Sequence, residues 1–129
     1  MRISAELLSL AEQRTNPLFE RELILKGLGI PTIENMGAAR DEFDCLDFSN
    51  NRIMRLENFP RLKRLRSLLL SGNVIETVDP PNLSKNLPNI TALTLSHNHI
   101  SSLAEVSKIA QSFPKLEFLA LVGNPVTSK

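Results

Sequence analysis

The chain has 129 residues and one cysteine, and its 15 Lys and Arg nearly balance its 14 Asp and Glu. A formal net charge of +1 excludes a global field that would attract nucleic acid or a membrane surface. The lone Cys45 excludes an intrachain disulfide and favours a reducing compartment. No apolar run is long enough to span a bilayer, so we expect one domain over residues 1–129 without a membrane partner.

The first predicted element is an amphipathic helix over residues 3–14. Ser4 suits its N-cap, and Glu6 suits the positive end of the helix dipole. Its apolar face comprises Ile3, Leu7, Leu10 and Ala11. Asn16 and Pro17 end it because the dipeptide favours a turn. We interpret residues 1–18 as an N-terminal cap that covers the core edge of the following repeats.

From about residue 19 onward, the chain repeats one pattern of leucines and asparagines. The stretch Leu65–Ile75, LRSLLLSGNVI, has the form LxxLxLxxNxI, which places two leucines on one face of a strand and an asparagine in the next turn. The frame recurs at 43–53, 90–100 and 116–126, and a degenerate copy gives a first strand at Glu22–Leu25. The asparagines are 22, 25 and 26 residues apart. The pattern predicts an α/β leucine-rich repeat solenoid of about five repeats with a parallel concave sheet.

The segments between strands carry apolar residues about every three places, which is typical of short helices or tight turns on the convex side. Ala104–Ser112 is the best helix candidate. Asp79, Pro80 and Pro81 exclude a long helix in the third return, which we expect to be irregular. The repeats, about 19–129, end without a closing element, so we expect the C-terminal cap to be missing and the chain to be a fragment of a longer protein.

Outward-facing residues on the concave strands predict a binding face for one amphipathic helix. The row mixes apolar residues with charges that are concentrated in its N-terminal half, and exposed apolar area marks interaction sites. The alternatives are an ordinary solvated sheet, or a missing cap that covers Phe118, Ala120 and Val122. The candidate partner-binding residues are Glu22, Ile24, Lys26, Cys45, Asp47, Ser67, Leu69, Ala92, Thr94, Phe118 and Ala120.

The run from residue 52 to residue 66 is basic and could contact RNA phosphates. The candidate contacts are Arg52, Arg55, Arg61, Lys63 and Arg64. The alternative is a solvated convex face, because leucines alternate with these cations. The chain has no Trp or Tyr, and most of its six Phe fit core positions. It therefore lacks the stacking platform on which proteins that bind single-stranded RNA depend.

No pattern for catalysis, a cofactor or a small-molecule substrate emerges. His97 and His99 flank Asn98, which the repeat uses in its turn, and neither has a Cys or carboxylate cluster at ligand spacing. Cys45 has no base arranged beside it within its repeat. We expect a non-enzyme that has no cofactor and no metal.

Three stretches carry a more specific resemblance: RELILKGLGIPTIENMGA, DEFDCLDFSNNRIMRLENFPRLKRLRSLLLSGNVI and FPKLEFLALVGNPVT. They are similar to the A-prime family of U2 small nuclear ribonucleoprotein subunits. The resemblance implies a nuclear, non-catalytic subunit that acts in pre-mRNA splicing. It also implies a partner of the B-double-prime type, an RNA-recognition-motif protein that holds U2 small nuclear RNA. That family continues beyond GNPVT with a closing cap.

A second function class remains open. A leucine-rich regulatory subunit could bind an enzyme, such as a protein phosphatase, through the same concave face. Such subunits carry longer arrays of more uniform 22-residue repeats, whereas the spacing here drifts to 25 and 26.

Overall fold

The computed structural model describes residues 1–128 as a leucine-rich repeat solenoid. A six-stranded sheet has the strand order β1-β2-β3-β5-β7-β8, and its last five strands are parallel, which confirms the predicted fold class. In chain order the elements are α1 (Ala5–Leu10), β1 (Glu12–Thr15), β2 (Arg21–Ile24), a 3-10 turn (Met36–Ala39), β3 (Cys45–Asp47), β4 (Arg55–Leu56), β5 (Ser67–Leu69), β6 (Thr77–Val78), α2 (Pro80–Asn86), β7 (Ala92–Thr94), α3 (Leu103–Ser112), β8 (Phe118–Ala120) and a 3-10 turn (Pro125–Thr127).

A buried asparagine ladder joins consecutive repeats. Asn73 accepts a hydrogen bond from the Ile53 amide at 3.0 Å and donates to the Phe48 and Leu70 carbonyls at 3.0 and 2.9 Å. Because the amide satisfies buried backbone groups of its own repeat and the preceding one, it fixes how two turns stack. The equivalent residues Asn51, Asn98 and Asn124 make the same kind of bonds and are also buried.

The convex side contains more regular structure than the sequence suggests. Short strands β4 and β6 pair there in parallel, and α3 forms close to its predicted position. The expectation of an irregular third return is wrong, because helix α2 forms over seven residues and begins at Pro80. Proline is compatible with the first helical turn, where its missing N–H has no partner in any case. Leu83 from this helix is fully buried.

The N-terminal cap is a short helix followed by a β-hairpin, so the prediction of a continuous helix over residues 3–14 is wrong. Helix α1 ends at Leu10 because Ala11 is extended, with φ −68° and ψ 149°. The following residues form β1, which pairs antiparallel with the free edge of β2. Pairing with that edge supplies backbone hydrogen bonds between strands and thereby overrides helix propensity.

Within residues 1–128, no helix is long and apolar enough to cross a membrane.

Candidate partner-binding face

The strand register arranges the predicted concave residues in rows. The first row contains Glu22, Cys45, Ser67, Ala92 and Phe118, and the second contains Ile24, Asp47, Leu69, Thr94 and Ala120. A third row, joined by backbone hydrogen bonds between successive turns, contains Lys26, Ser49, Ser71, Ser96 and Val122. We call these three rows the concave face.

Most side chains of the concave face are half-buried in the free chain, while Phe118 is 56% exposed. Leu69 lies at the middle strand of the five, with Asp47 and Thr94 as its register neighbours. The C-terminal part is apolar apart from its Thr and Ser members, because Ala92, Phe118 and Ala120 belong to the last two strands. The strand register therefore aligns the predicted residues in neighbouring rows, and their role in partner binding stays a prediction.

Two of the predicted residues, Glu22 and Cys45, are not accessible. Their exposed fractions are 4% and 3%, so the expectation that they face outward is wrong. For Glu22 the cause is the hairpin, because Arg14 of β1 donates from Nε to Glu22 Oε2 at 2.8 Å. Arg14 thus neutralises the buried carboxylate. This pairing could not be predicted, because the sequence favours a helix through residue 14.

Burial also makes Cys45 chemically inert. It raises the pKa of the thiol, and the neighbouring Glu22 carboxylate raises it further. A protonated thiol is a poor nucleophile and a poor metal ligand.

The N-terminal charges are largely paired. Arg64 donates from Nε to Asp44 Oδ1 at 3.0 Å, and this hydrogen bond lowers the pKa of Asp44. Asp47 also has a local bond, since its Oδ1 accepts from the Ser49 amide at 2.9 Å. Lys26 is exposed. The charged end of the concave face thus reduces to Asp47 and Lys26.

The predicted basic run divides between two parts of one repeat. Arg52 and Arg55 lie in the return after β3, whereas Arg61, Lys63 and Arg64 lie in the segment that leads into β5. Arg61 donates to the Lys85 carbonyl at 3.0 Å. The backbone amides of Lys63 and Arg64 donate to Asp41. The charge of Arg64 is offset by the carboxylate of Asp44.

The histidines have a structural explanation. His97 is exposed in a left-handed turn with φ 57°, where its ring covers Gly123 so closely that a Cβ there would collide with it. His99 is exposed as well. In the part of the chain that the structure describes, no cluster of three or more His, Cys, Asp or Glu side chains could hold a metal ion.

One feature beside the concave face was missed by the sequence reasoning. A groove of about 290 Å³ separates the end of α1 from β2, and five of its seven lining residues are apolar. The groove is lined by Leu7, Leu10, Ala11, Glu12, Ile24, Lys26 and Leu28. Assigning Leu10 and Ala11 to the core face of a longer helix concealed it.

The chain belongs to the leucine-rich repeat family, whose model matches residues 1–129. Over all 129 residues it is 43% identical to U2 small nuclear ribonucleoprotein A′ of Arabidopsis thaliana, 43% to that of Schizosaccharomyces pombe and 42% to that of Homo sapiens. The resemblance found in the sequence is thereby confirmed. The chain spans about half the length of these relatives: 51%, 53% and 50%, respectively.

A solved structure agrees with this relationship. The crystal structure of the Drosophila melanogaster SNF/U2A′ complex contains a chain that matches with a TM-score of 0.95 and 39% sequence identity. The match covers 100% of the present chain and 73% of that chain.

Proposed function

We propose that this chain is a non-catalytic subunit of the U2 small nuclear ribonucleoprotein that acts in pre-mRNA splicing in the nucleus. Its concave face binds an RNA-recognition-motif protein of the B-double-prime type. Through that partner, the chain supports the binding of U2 small nuclear RNA. The proposal is supported by similarity along the whole chain to proteins named U2 small nuclear ribonucleoprotein A′.

The observation that carries the proposal is the mixed character of the concave face. Five parallel strands about 4.8 Å apart make a surface roughly 20 Å wide, which accommodates about 13 residues of an α-helix at 1.5 Å per residue. Leu69 lies at its centre, with apolar residues toward β8 and charges toward β2. An amphipathic helix placed across the strands would meet both kinds of surface.

The name of the similar complex supports a protein partner. The related chain was crystallised in a complex named SNF/U2A′, so a chain of this fold can be isolated together with a second protein. Phosphate contacts by Arg52, Arg55, Arg61 or Lys63 would add to the affinity of the complex for RNA. Base stacking would come from the partner, because the chain has no Trp or Tyr.

Leu69→Glu tests the protein-binding part of the proposal. The substitution places a charge in the centre of the contact, where apolar anchors dominate binding, so affinity for the B-double-prime-type protein of the same organism should fall by at least about 100-fold. Isothermal titration calorimetry measures this affinity. Leu103→Glu is a matched control, because Leu103 is 78% exposed on α3 among the return segments. Equal affinities of the Leu69 variant and the parent would overturn the assignment of the concave face.

A second pair of variants tests the RNA contact. Arg61→Glu with Lys63→Glu, compared with Arg52→Glu and Arg55→Glu, separates the two parts of the basic run. Each lost phosphate contact should reduce the slope of log affinity against log salt by about one, while the affinity for the protein partner alone stays unchanged. Arg64 is left intact because its loss would release Asp44. Unaltered slopes in both variants would mean that the run is a solvated surface.

A further inference from the structure

We infer that the binding surface extends beyond the repeats onto the cap helix. The groove between α1 and β2 would receive one large apolar side chain from the same partner helix that the concave face holds. This inference depends on the proposed function and deepens it, because it assigns a binding role to residues of a cap whose predicted task was to cover the core.

The first argument is the position of Leu10. Helix α1 ends there, and its turn into β1 leaves the Leu10 side chain 77% exposed while Leu8 of the same helix is 5% exposed. A single exposed leucine needs no explanation. Leu10, however, forms one wall of a groove whose other apolar walls are Leu7, Ala11, Ile24 and Leu28.

The second argument is continuity with the concave face. Ile24 of the second row and Lys26 of the third row also line the groove. A helix that contacts these two residues therefore passes the opening of the groove. The volume of about 290 Å³ equals roughly ten water molecules at about 30 Å³ each, which is sufficient for a leucine, methionine or phenylalanine side chain.

The third argument concerns the kind of side chain. Five of the seven residues that line the groove are apolar, and its two ionisable members, Glu12 and Lys26, are exposed and of opposite sign. Filling it with an apolar group buries hydrocarbon on both sides of the contact and requires no buried charge. A charged occupant would meet apolar walls on five of the seven lining residues.

Leu10→Ser is the informative variant, with Leu103→Ser as its control. The two leucines are 77% and 78% exposed and both belong to helices, so their substitution should affect folding equally little. Titration against the B-double-prime-type protein should show a loss of roughly tenfold for Leu10→Ser and no change for Leu103→Ser. Leu10→Met should retain most of the affinity because the side chain remains large and apolar.

The outcomes distinguish this inference from the proposed function. If Leu69→Glu abolishes binding while Leu10→Ser binds like the parent, the partner occupies the repeats alone and the inference is overturned. If Leu69→Glu also binds like the parent, the concave face itself is not the site. Equal losses for Leu10→Ser and Leu103→Ser would indicate nonspecific apolar adhesion and would overturn the groove as well.

Discussion

The two ends of the sheet differ in the elements that cover them. At the N-terminal end, Ile3 and Leu8 are buried against the first repeat, and β1 pairs with the outer edge of β2. At the other end, Phe118 is 56% exposed and Val122 67%, and among residues 1–128 no strand pairs with the outer edge of β8. A single repeat cannot bury its own apolar residues, because the neighbouring repeats on both sides must cover them.

The comparison shows that closing such an array requires an element of a different kind. The N-terminal end uses a helix and an antiparallel strand, neither of which follows the repeat pattern. The same hairpin also shapes the concave face, because Arg14 covers Glu22 and the turn after α1 opens the groove at Leu10. A terminal element thus determines which residues of the first repeat a partner can reach.

The largest expected effect comes from removing one core leucine at each end. Leu23 is 1% exposed, whereas its counterpart Leu119 is half-buried. Leu23→Ala should lower the free energy of unfolding by about 2–5 kcal/mol, because the closely packed neighbours cannot move in to fill the cavity that the substitution leaves. Leu119→Ala should cost less than about half of that, since water already reaches the site. Urea denaturation measures both, and equal losses would show that the two ends are equally packed.

The asparagine ladder gives the next largest effect. Asn73→Ala leaves the Ile53 amide without a partner inside the core. It also removes one of the two asparagine hydrogen bonds that the Phe48 and Leu70 carbonyls each accept. Together these losses should cost about 1–3 kcal/mol. Asn124→Ala should cost less, because one of its acceptors belongs to the half-buried Leu121. Denaturation midpoints test this order. A parent-like midpoint for Asn73→Ala would mean that the ladder does not stabilise the fold.

The repeated part of this fold could be predicted from the sequence because one pattern encodes it several times. Leu68, Leu70 and Asn73 occupy the positions that their spacing predicts, and all three are buried. The cap could not be predicted, because it occurs only once and its strand forms by pairing with the edge of β2. In that pair, Glu12 lies opposite Ile24, which is 12 residues further along the chain. Local periodicity favours a helix there, and a tertiary hydrogen-bond ladder decides otherwise.

The candidate site divides in the same way. Alternation along each strand placed Leu69, Thr94 and Ala120 on one face, because side-chain direction is local. Accessibility is not local. Glu22 is buried beneath a hairpin that the sequence did not reveal, and Cys45 beside it on β3 is buried as well. A groove opens where a helix was expected to continue.

The cap helix itself offers a smaller test. The Ser4 hydroxyl accepts from the Leu7 amide at 3.1 Å at the start of α1. Ser4→Ala should destabilise the chain by about 1 kcal/mol, because an N-cap satisfies an otherwise unpaired helical amide. Hydrogen exchange should show the added opening in α1 and β2, with β8 unchanged. Faster exchange at β8 as well would mean that the two ends open together.

The smallest expected effect concerns how two contacts respond to acid. Both lie in the segments that lead into the strands, one in the N-terminal half of the sheet and one in the C-terminal half. In the N-terminal half, Arg64 donates to the Asp44 carboxylate, and this bond lowers the pKa of Asp44. In the C-terminal half, Lys115 Nζ donates instead to Asn89 Oδ1 at 2.8 Å, an amide that does not titrate. Only the first contact should therefore depend on acidity.

The sign follows from linkage. Because the folded-state pKa of Asp44 is depressed, its pair with Arg64 contributes stability at every pH above the unfolded-state value and loses that contribution as the pH falls through the folded value. Arg64→Ala should thus be slightly less stable than the parent at about pH 7 and equally stable at about pH 2, the difference being small because exposed pairs are weak. Lys115→Ala should show no such convergence. A deficit for Arg64→Ala that persists in acid would mean that the side chain contributes through packing rather than through its charge.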